Sequence, residues 1–347
     1  MAAEQAEFAL RRERLLLRSC ITQLAAAPPS GFDATWLVGA ETAKEIDLGN
    51  FAAALVGDTL AVSTTTPDAV ESRTSALAAA LAWYARVSGS DSRRLLLIDA
   101  RQSGVTARQA ANFLVPAVVI NANEGATNLA VAQPAPHLTP VEPHASHLAF
   151  TDMFHRAGAD VVIEHGIVAA EVAGLEVARV IDEDGRAKVR IGVGVHDRET
   201  FRMLHGDEAT LEQLQGVVTT VATHRQPRAA SHPLNLLAPE RALRHRAIKT
   251  PQALGLASLH SAEPPVPRTN LKDSVPCCAT GRTNEGDDVV VVFVAGVDLD
   301  AVPFAADART RLAARARLMI VSDSRNIVPT QRRLATLLHT PAEFVSA

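Results

Sequence analysis

The stretch "GLEVARVIDEDGRAKVRIGVGVHDRE", residues 174–199, decides how the second half of the chain is read. Two β-rich runs flank "DEDG", a turn signal between alternating apolar positions. Glu176 interrupts the first run, and Gly192 and Gly194 interrupt the second. A three-residue loop closed by a glycine bulge pairs Asp182 with Arg186, Glu176 with Gly192 and Gly174 with Gly194. One face then carries Leu175, Val177, Ile181, Val189, Ile191, Val193 and Val195, a continuous apolar surface. The other carries Glu176 beside Gly174, Gly192, Gly194, Arg190 and His196. A two-residue loop turns Glu176 into the apolar face instead, where an unpaired carboxylate is heavily penalised. The bulged register is therefore expected, with Glu171 on the face away from Glu176.

Glycine inside a strand costs roughly 0.5–1 kcal/mol relative to alanine, so three around one carboxylate imply a close approach to the backbone. In one reading a helix packs there and Glu176 pairs with Arg179 or Arg190. In the other, a substrate or metal ion fills the depression, with Glu176 as general base or ligand and Arg190, Gly192, Gly194 and Asp197 around the substrate. The second strand is expected to run on through "VHDRE". That places His196 and Asp197 where it emerges, and puts His196 roughly 13 Å from Glu176 at ~3.3 Å per residue.

Upstream, residues 3–26 read as an amphipathic helix through Phe8, Leu16, Cys20 and Leu24. "TWLVGAE", "TLAVSTT", "RLLLID" and "PAVVIN" read as strands, with helices over 67–87 and 106–114 between them, a parallel βαβ signature. "QPAPHLTPVEPHAS" reads as a linker. Beyond it lie a helix over 146–156, the strand "ADVVIE", the opening hairpin, and helices over 208–224 and 236–247. A second hairpin, "VPCCATGR" into "VVVVFVAG", precedes helix 301–316, the strand "LMIVS" and helix 329–338. The expected fold is α/β: an N-terminal helix over 1–29, a parallel βαβ domain over 30–132, a Pro-rich linker over 133–146, and a mixed α+β domain with antiparallel hairpins over 147–347.

Composition narrows the functional classes. The 347 residues are 47% apolar and only 4% aromatic, so the cores must be built from Val, Leu and Ala. A net charge of −4 does not indicate a nucleic-acid partner. The bias of Arg over Lys, with abundant Ala and Val, suggests a GC-rich bacterial genome. No signal peptide and no long apolar run is present, so a cytoplasmic location without membrane attachment is expected. The three cysteines, Cys20, Cys277 and Cys278, do not form a disulfide framework.

Other candidates are weaker. In "GVDLDAVPF", Asp298 and Asp300 follow a strand, where α/β proteins bind ligands. Asp300 is expected to cap the next helix, which leaves Asp298 for metal or polar-ligand binding. "DLDAV" resembles the nucleophile loop of haloacid-dehalogenase-like phosphatases over five residues. The stretch after it is expected to be too short for that fold's remaining residues, so the family is set aside. His144, His147, His155 and His165 crowd one region without the spacing of a helical zinc site. "CCAT" lacks C-x-x-C spacing, and no Walker loop exists. "NANEGATN", Asp99 and Arg101 are minor phosphate or crevice candidates.

Two functions of different class follow. One is a carboxylate- or metal-dependent hydrolase-type enzyme. It would use Glu176, His196 and Asp298, with a divalent metal as the cofactor such a site would take. The alternative is a non-catalytic protein binding a small molecule or protein partner, with the N-terminal helix as the element for oligomer assembly.

Overall fold

The computed structural model describes residues 2–64, 74–87, 93–122, 128–226, 232–268 and 275–347. The chain forms two compact units. One comprises Met1–Pro136, Val297–Asp307 and Ile327–Glu343, the other His137–Gly296, Ala308–Asn326 and Phe344–Ala347. The chain therefore returns to the first unit twice after leaving it in the Pro-rich stretch.

The first unit is built on α1 (Ala2–Ala26) and a six-stranded sheet in sequential order. Its strands are β1 (Lys44–Leu48), β2 (Phe51–Val56), β3 (Thr59–Thr64), β4 (Arg94–Asp99), β5 (Ala117–Ala122) and β6 (Leu129–Val131). The centre β3–β4–β5 is parallel, with α2 (Ala76–Val87) and α3 (Ser103–Ala110) as connections. β1–β2–β3 and β5–β6 are antiparallel. β3 and β4 are buried along nearly their whole length, as covered parallel strands are. α1 inserts Leu17, Cys20, Ile21 and Leu24, three or four residues apart, against Ala52, Ala61, Leu96 and Ile120.

Departures from expectation in this unit have local causes. "TWLVGAE" forms two 3-10 turns, Ala34–Leu37 and Ala40–Thr42. Asp33 caps the first through the Thr35 amide at 2.9 Å, an alternative to strand pairing that short polar side chains favour. The helix expected from Pro67 begins at Ala76 within the described residues, and Pro67 itself and most of "NANEGATN" lie outside them.

In the second unit, α4 (Ala145–Leu148) and α5 (Thr151–Arg156) precede an antiparallel meander. Its strands are β7 (Asp160–Glu164), β8 (Ile167–Val172), β9 (Leu175–Glu183) and β10 (Arg186–Ile191). Then follow α6 (Val195–His205), α7 (Leu211–His224), α8 (Pro239–Lys249) and a five-stranded sheet. That sheet holds β11 (Leu256–Ala262), β12 (Cys277–Thr283), β13 (Asp288–Phe293), β14 (Arg317–Ser322) and β15 (Glu343–Ser346). Between its strands the chain runs through α9 (Ala301–Ala313), which begins in the first unit, and α10 (Pro329–Thr336), which lies in the first unit. The hairpin β12–β13 forms as expected, and β13–β14 are parallel. No helix among the described residues is long and apolar enough to cross a membrane.

The meander corrects the register drawn from the sequence. All three of its turns have two residues, each a non-glycine at positive φ followed by glycine: His165–Gly166 (51°, 76°), Ala173–Gly174 (45°, 78°) and Asp184–Gly185 (53°, 73°). Positive φ at both positions defines type I′ turns, whose twist matches that of the flanking strands. Glu183 therefore pairs with Arg186 and Val180 with Val189, one residue away from the bulged register. Alone, that shift would drive Glu176 into the core. A bulge on the other side of β9 compensates: Ala170 pairs with Ala178 but Glu171 pairs with Glu176, so Val177 is the extra residue. Leu175, Val177, Ala178 and Val180 consequently pack with Val189, Ile191, Phe154 and α7's Leu214 and Val218, while Glu176 stays on the outer face. Glu171 lies directly across from it on that same face, contrary to expectation.

Candidate functional site: an arginine-lined cavity on the outer face of the meander

The outer face carries Glu164 at the end of β7, Glu171 on β8, and Glu176 with Arg179 on β9. Glu176 and Arg179 are three residues apart, a spacing that normally points strand residues to opposite faces. The bulge at Val177 rephases the strand and brings them together. Arg179 then forms a fork on Glu176, with Nε donating at 2.6 Å and Nη2 at 2.8 Å.

Two helices close on this face, each where a glycine permits it. A Cβ at Gly174 would collide with the backbone of Arg241 and Ala242, so α8 lies directly against the β8–β9 turn. Arg225 secures that turn, donating from Nε and Nη2 to the Ala173 carbonyl at 3.1 and 2.9 Å. α8 thereby lays Arg241 and Arg244 over the acids. Arg241 donates to both Glu171 and Glu164, and Arg244 donates to Glu164 at 2.6 Å and Glu171 at 3.4 Å. Burial pushes the Glu164 carboxyl up, but Arg244 and Arg241 outweigh it and hold the group below its ordinary range.

The second close approach replaces the expected strand end. β10 stops at Ile191, the Gly192 amide donates to the Val177 carbonyl at 2.7 Å, and the chain turns into α6. A Cβ on Gly192 would lie 2.7 Å from the Arg198 nitrogen. The Asp197 carboxylate accepts from the Val193 amide at 2.6 Å and secures the helix start. With the chain folded back, Arg198 reaches Glu176 at 2.9 Å. His196 and Asp197 thus belong to a helical first turn rather than to a strand.

Helices α8 and α6 account for Gly174 and Gly192, yet the face is not filled. A cavity of about 540 Å³ remains, lined by Glu176, Arg179, Arg198, Arg241, His165 and His196 among others. Gly194 and Asp197 also line it, and Arg190 and Gly192 do not. Arg190 is buried against Glu183 and donates to the Asp207 carbonyl at 3.1 Å.

The remaining candidates are placed elsewhere. Asp298 belongs to the first unit. Its Oδ1 accepts from the Asp300 amide at 2.9 Å at the start of α9. Asp300 instead accepts from the Ser75 amide at 2.7 Å and from the Ser75 hydroxyl. Asp298 rather than Asp300 thus accepts a backbone amide at the helix start, and the Asp300 carboxylate is taken up by Ser75. Burial, and then the neighbouring Asp300, push the Asp298 carboxyl up to about 6. The histidines disperse: His144 caps α4, His147 pairs with Asp182 at 3.0 Å, and His165 lies beside Glu263. Among the described residues no three His, Cys, Asp or Glu side chains are grouped to hold a metal ion. Cys277 and Cys278 are free and buried, and burial pushes the Cys277 thiol up to about 12, which leaves it without thiolate character.

Arg198, Arg241 and Arg244 were not singled out in the sequence. "PERALRHR" does contain a signal, because Arg241 and Arg244 are three apart on one helical face. A scan against family models, a search of curated proteins and a search of solved structures each returned no match.

Proposed function

We propose that the protein is a binding protein without catalytic activity of its own, taking a small molecule in the cavity of the second unit. The observation that carries this reading is the state of Glu176. The oxygens a general base would offer to a substrate already receive three guanidinium hydrogen bonds. Glu176 organises two arginines around the cavity, a positioning role, and the aliphatic wall of Val162, Ile167 and Leu237 offers a surface to a ligand body.

A second reading keeps the carboxylate- or metal-dependent hydrolase, with Glu176 as base or ligand and His196 beside the substrate. It is favoured by both residues lining one cavity, and it leaves Asp298 to a separate role in the first unit. A reducing, cytoplasmic setting suits either reading, supported by three unpaired, buried cysteines. Assembly through α1 rests on Phe8 and Leu15, which stay exposed on that helix.

A fragment screen followed by ¹H–¹⁵N spectra tests the binding reading. Binders are expected to perturb residues 193–198 and 237–241. Absence of any perturbation there sinks it. An esterase or phosphodiesterase activity abolished by Glu176→Gln in a folded protein would favour the hydrolase.

A further inference from the structure

Donors reach the cavity from two elements, β9 and α6. The Arg198 side chain gives Nη1 to Glu176 and makes no other hydrogen bond among the described residues; its other guanidinium nitrogens are not sealed inside the protein. Arg179 commits Nε and Nη2 to Glu176, which leaves Nη1. Val195 and His196 line the cavity from the first turn of α6, where backbone N–H groups have no intrahelical partner. The positive end of the helix adds to the attraction for an anion.

Charge at the wall tilts the same way. Of the guanidiniums at the wall, Arg241 is matched by Glu164 and Glu171 and Arg268 pairs with Glu240, whereas Arg179 and Arg198 share the single carboxylate of Glu176, and the Asp197 carboxylate is engaged by the Val193 amide. Burial pulls the Arg198 guanidinium below its ordinary range in spite of Glu176 beside it, whereas hydrogen bonds to Glu176 raise Arg179. Arg198 is thus the under-compensated cation of the pair.

The geometry of the donors selects the anion. A planar carboxylate matches a single guanidinium fork, and Glu176 already fills that role for Arg179. A phosphoryl group presents three terminal oxygens in different directions and suits Arg179 from β9 together with Arg198 and the first-turn backbone amides of α6. At about 540 Å³ the cavity exceeds a bare ion many times over, since a water molecule occupies only about 30 Å³ of liquid. The apolar part of its wall is aliphatic, formed by Val162, Ile167 and Leu237 among others, and no Phe, Tyr or Trp lines it.

We infer that the cavity binds an aliphatic phosphate monoester. The phosphoryl group lies between Arg198, Arg179 and the first turn of α6, and the ligand body lies against Val162, Ile167 and Leu237. This inference rests on the small-molecule reading above.

Calorimetric titration and thermal shift, at constant ionic strength in a phosphate-free buffer, test it with four probes: inorganic phosphate, glycerol phosphate, acetate and glycerol. Both phosphates are expected to bind, the ester about tenfold more tightly, and the other two not at all. Val195→Asp puts a carboxylate at an exposed first-turn position where acids suit a helix. It is expected to weaken both phosphates at least about tenfold without lowering the Tm. Arg198→Lys, which keeps the charge and loses the fork, is expected to weaken the ester by about tenfold. Acetate binding as tight as phosphate overturns the inference, as does phosphate binding untouched by Val195→Asp, which marks an adventitious ion only. If the phosphates fail while other fragments still perturb residues 193–198, the phosphate inference falls and the binding reading stands. If nothing perturbs that region, both fall.

Discussion

Two arginine–carboxylate networks share the outer face of the meander, and their stoichiometry separates them. In the first, Glu164 and Glu171 meet Arg241 and Arg244, two acids against two guanidiniums, with side chains only 2–11% exposed. In the second, Glu176 alone meets Arg179 and Arg198, with the guanidiniums 28% and 12% exposed. The matched network is closed on itself and fixes α8 on β7 and β8. The unmatched one leaves donors facing a cavity. Buried ion pairs are weak evidence of net stability, but removing one partner is costly because the other is stranded. The same chemistry therefore serves anchoring where charges balance and recognition where they do not.

The most severe test of this contrast is Arg244→Met, which keeps the aliphatic stem and strands the two acids with a single guanidinium. Urea unfolding should show a loss of about 3–5 kcal/mol at pH 7. Glu164 is held below its ordinary range, so the stability it contributes is present at neutral pH and lost as pH falls through the carboxylate range. The Arg244→Met deficit should accordingly shrink in acid. A loss under about 1 kcal/mol at pH 7 would show that the matched network does not anchor α8.

Glu176→Gln should cost less, about 1–3 kcal/mol, because its two arginines reach the cavity and its water. Added phosphate should restore part of that loss and none of the loss from Arg244→Met. Equal deficits and no response to phosphate would erase the distinction between the networks.

Asp298 supplies a contrasting case in the first unit, a carboxyl beside another acid rather than an arginine. Its folded value, about 6, lies above the ordinary 3.8. The native state therefore holds the extra proton between about pH 4 and 6, and stability declines as pH rises through that window. Asp298→Asn keeps an acceptor for the Asp300 amide and removes the charge. Its Tm should exceed that of the parent protein by a few degrees above pH 6 and converge with it near pH 4. A constant Tm difference across that range would assign the effect to something other than titration.

The smallest expected effect concerns the register beneath both networks. Asp184→Asn creates the Asn-Gly pair that type I′ turns favour. It should stabilise by about 0.5 kcal/mol, the scale of a local turn preference. A destabilised protein would contradict the two-residue turn.

Much of the fold was legible in particular residues. "TLAVST" and "RLLLID" read as covered parallel strands because their central positions are all apolar or small, and "TNEGDD" announced the β12–β13 hairpin. The glycines at 174 and 192 correctly marked where other backbone approaches. The β1–β2 hairpin was not legible, since "KEIDL" reads as polar and only pairing with β2 makes it a strand. β8 was absorbed into its neighbours, although "HG", "AG" and "DG" stand at the three turns of the meander. Of the candidate site, Glu176, His196, Gly194 and Asp197 do line one cavity, whereas Arg190, Gly192 and Asp298 do not.

By itself the sequence determined the periodicities, the apolar parallel centre of the first unit, and the positions where only glycine lets two backbones meet. Tertiary structure decided what Glu176 faces. A turn one residue shorter and a bulge at Val177 each move the pattern by one, and only simultaneous pairing of β9 with β8 and β10 selects the combination. It also decided which charges meet. Arg241 and Glu164 are 77 residues apart and Arg198 and Glu176 are 22 apart. Partners at such separations are chosen by packing of helices on the sheet, which local propensity does not encode.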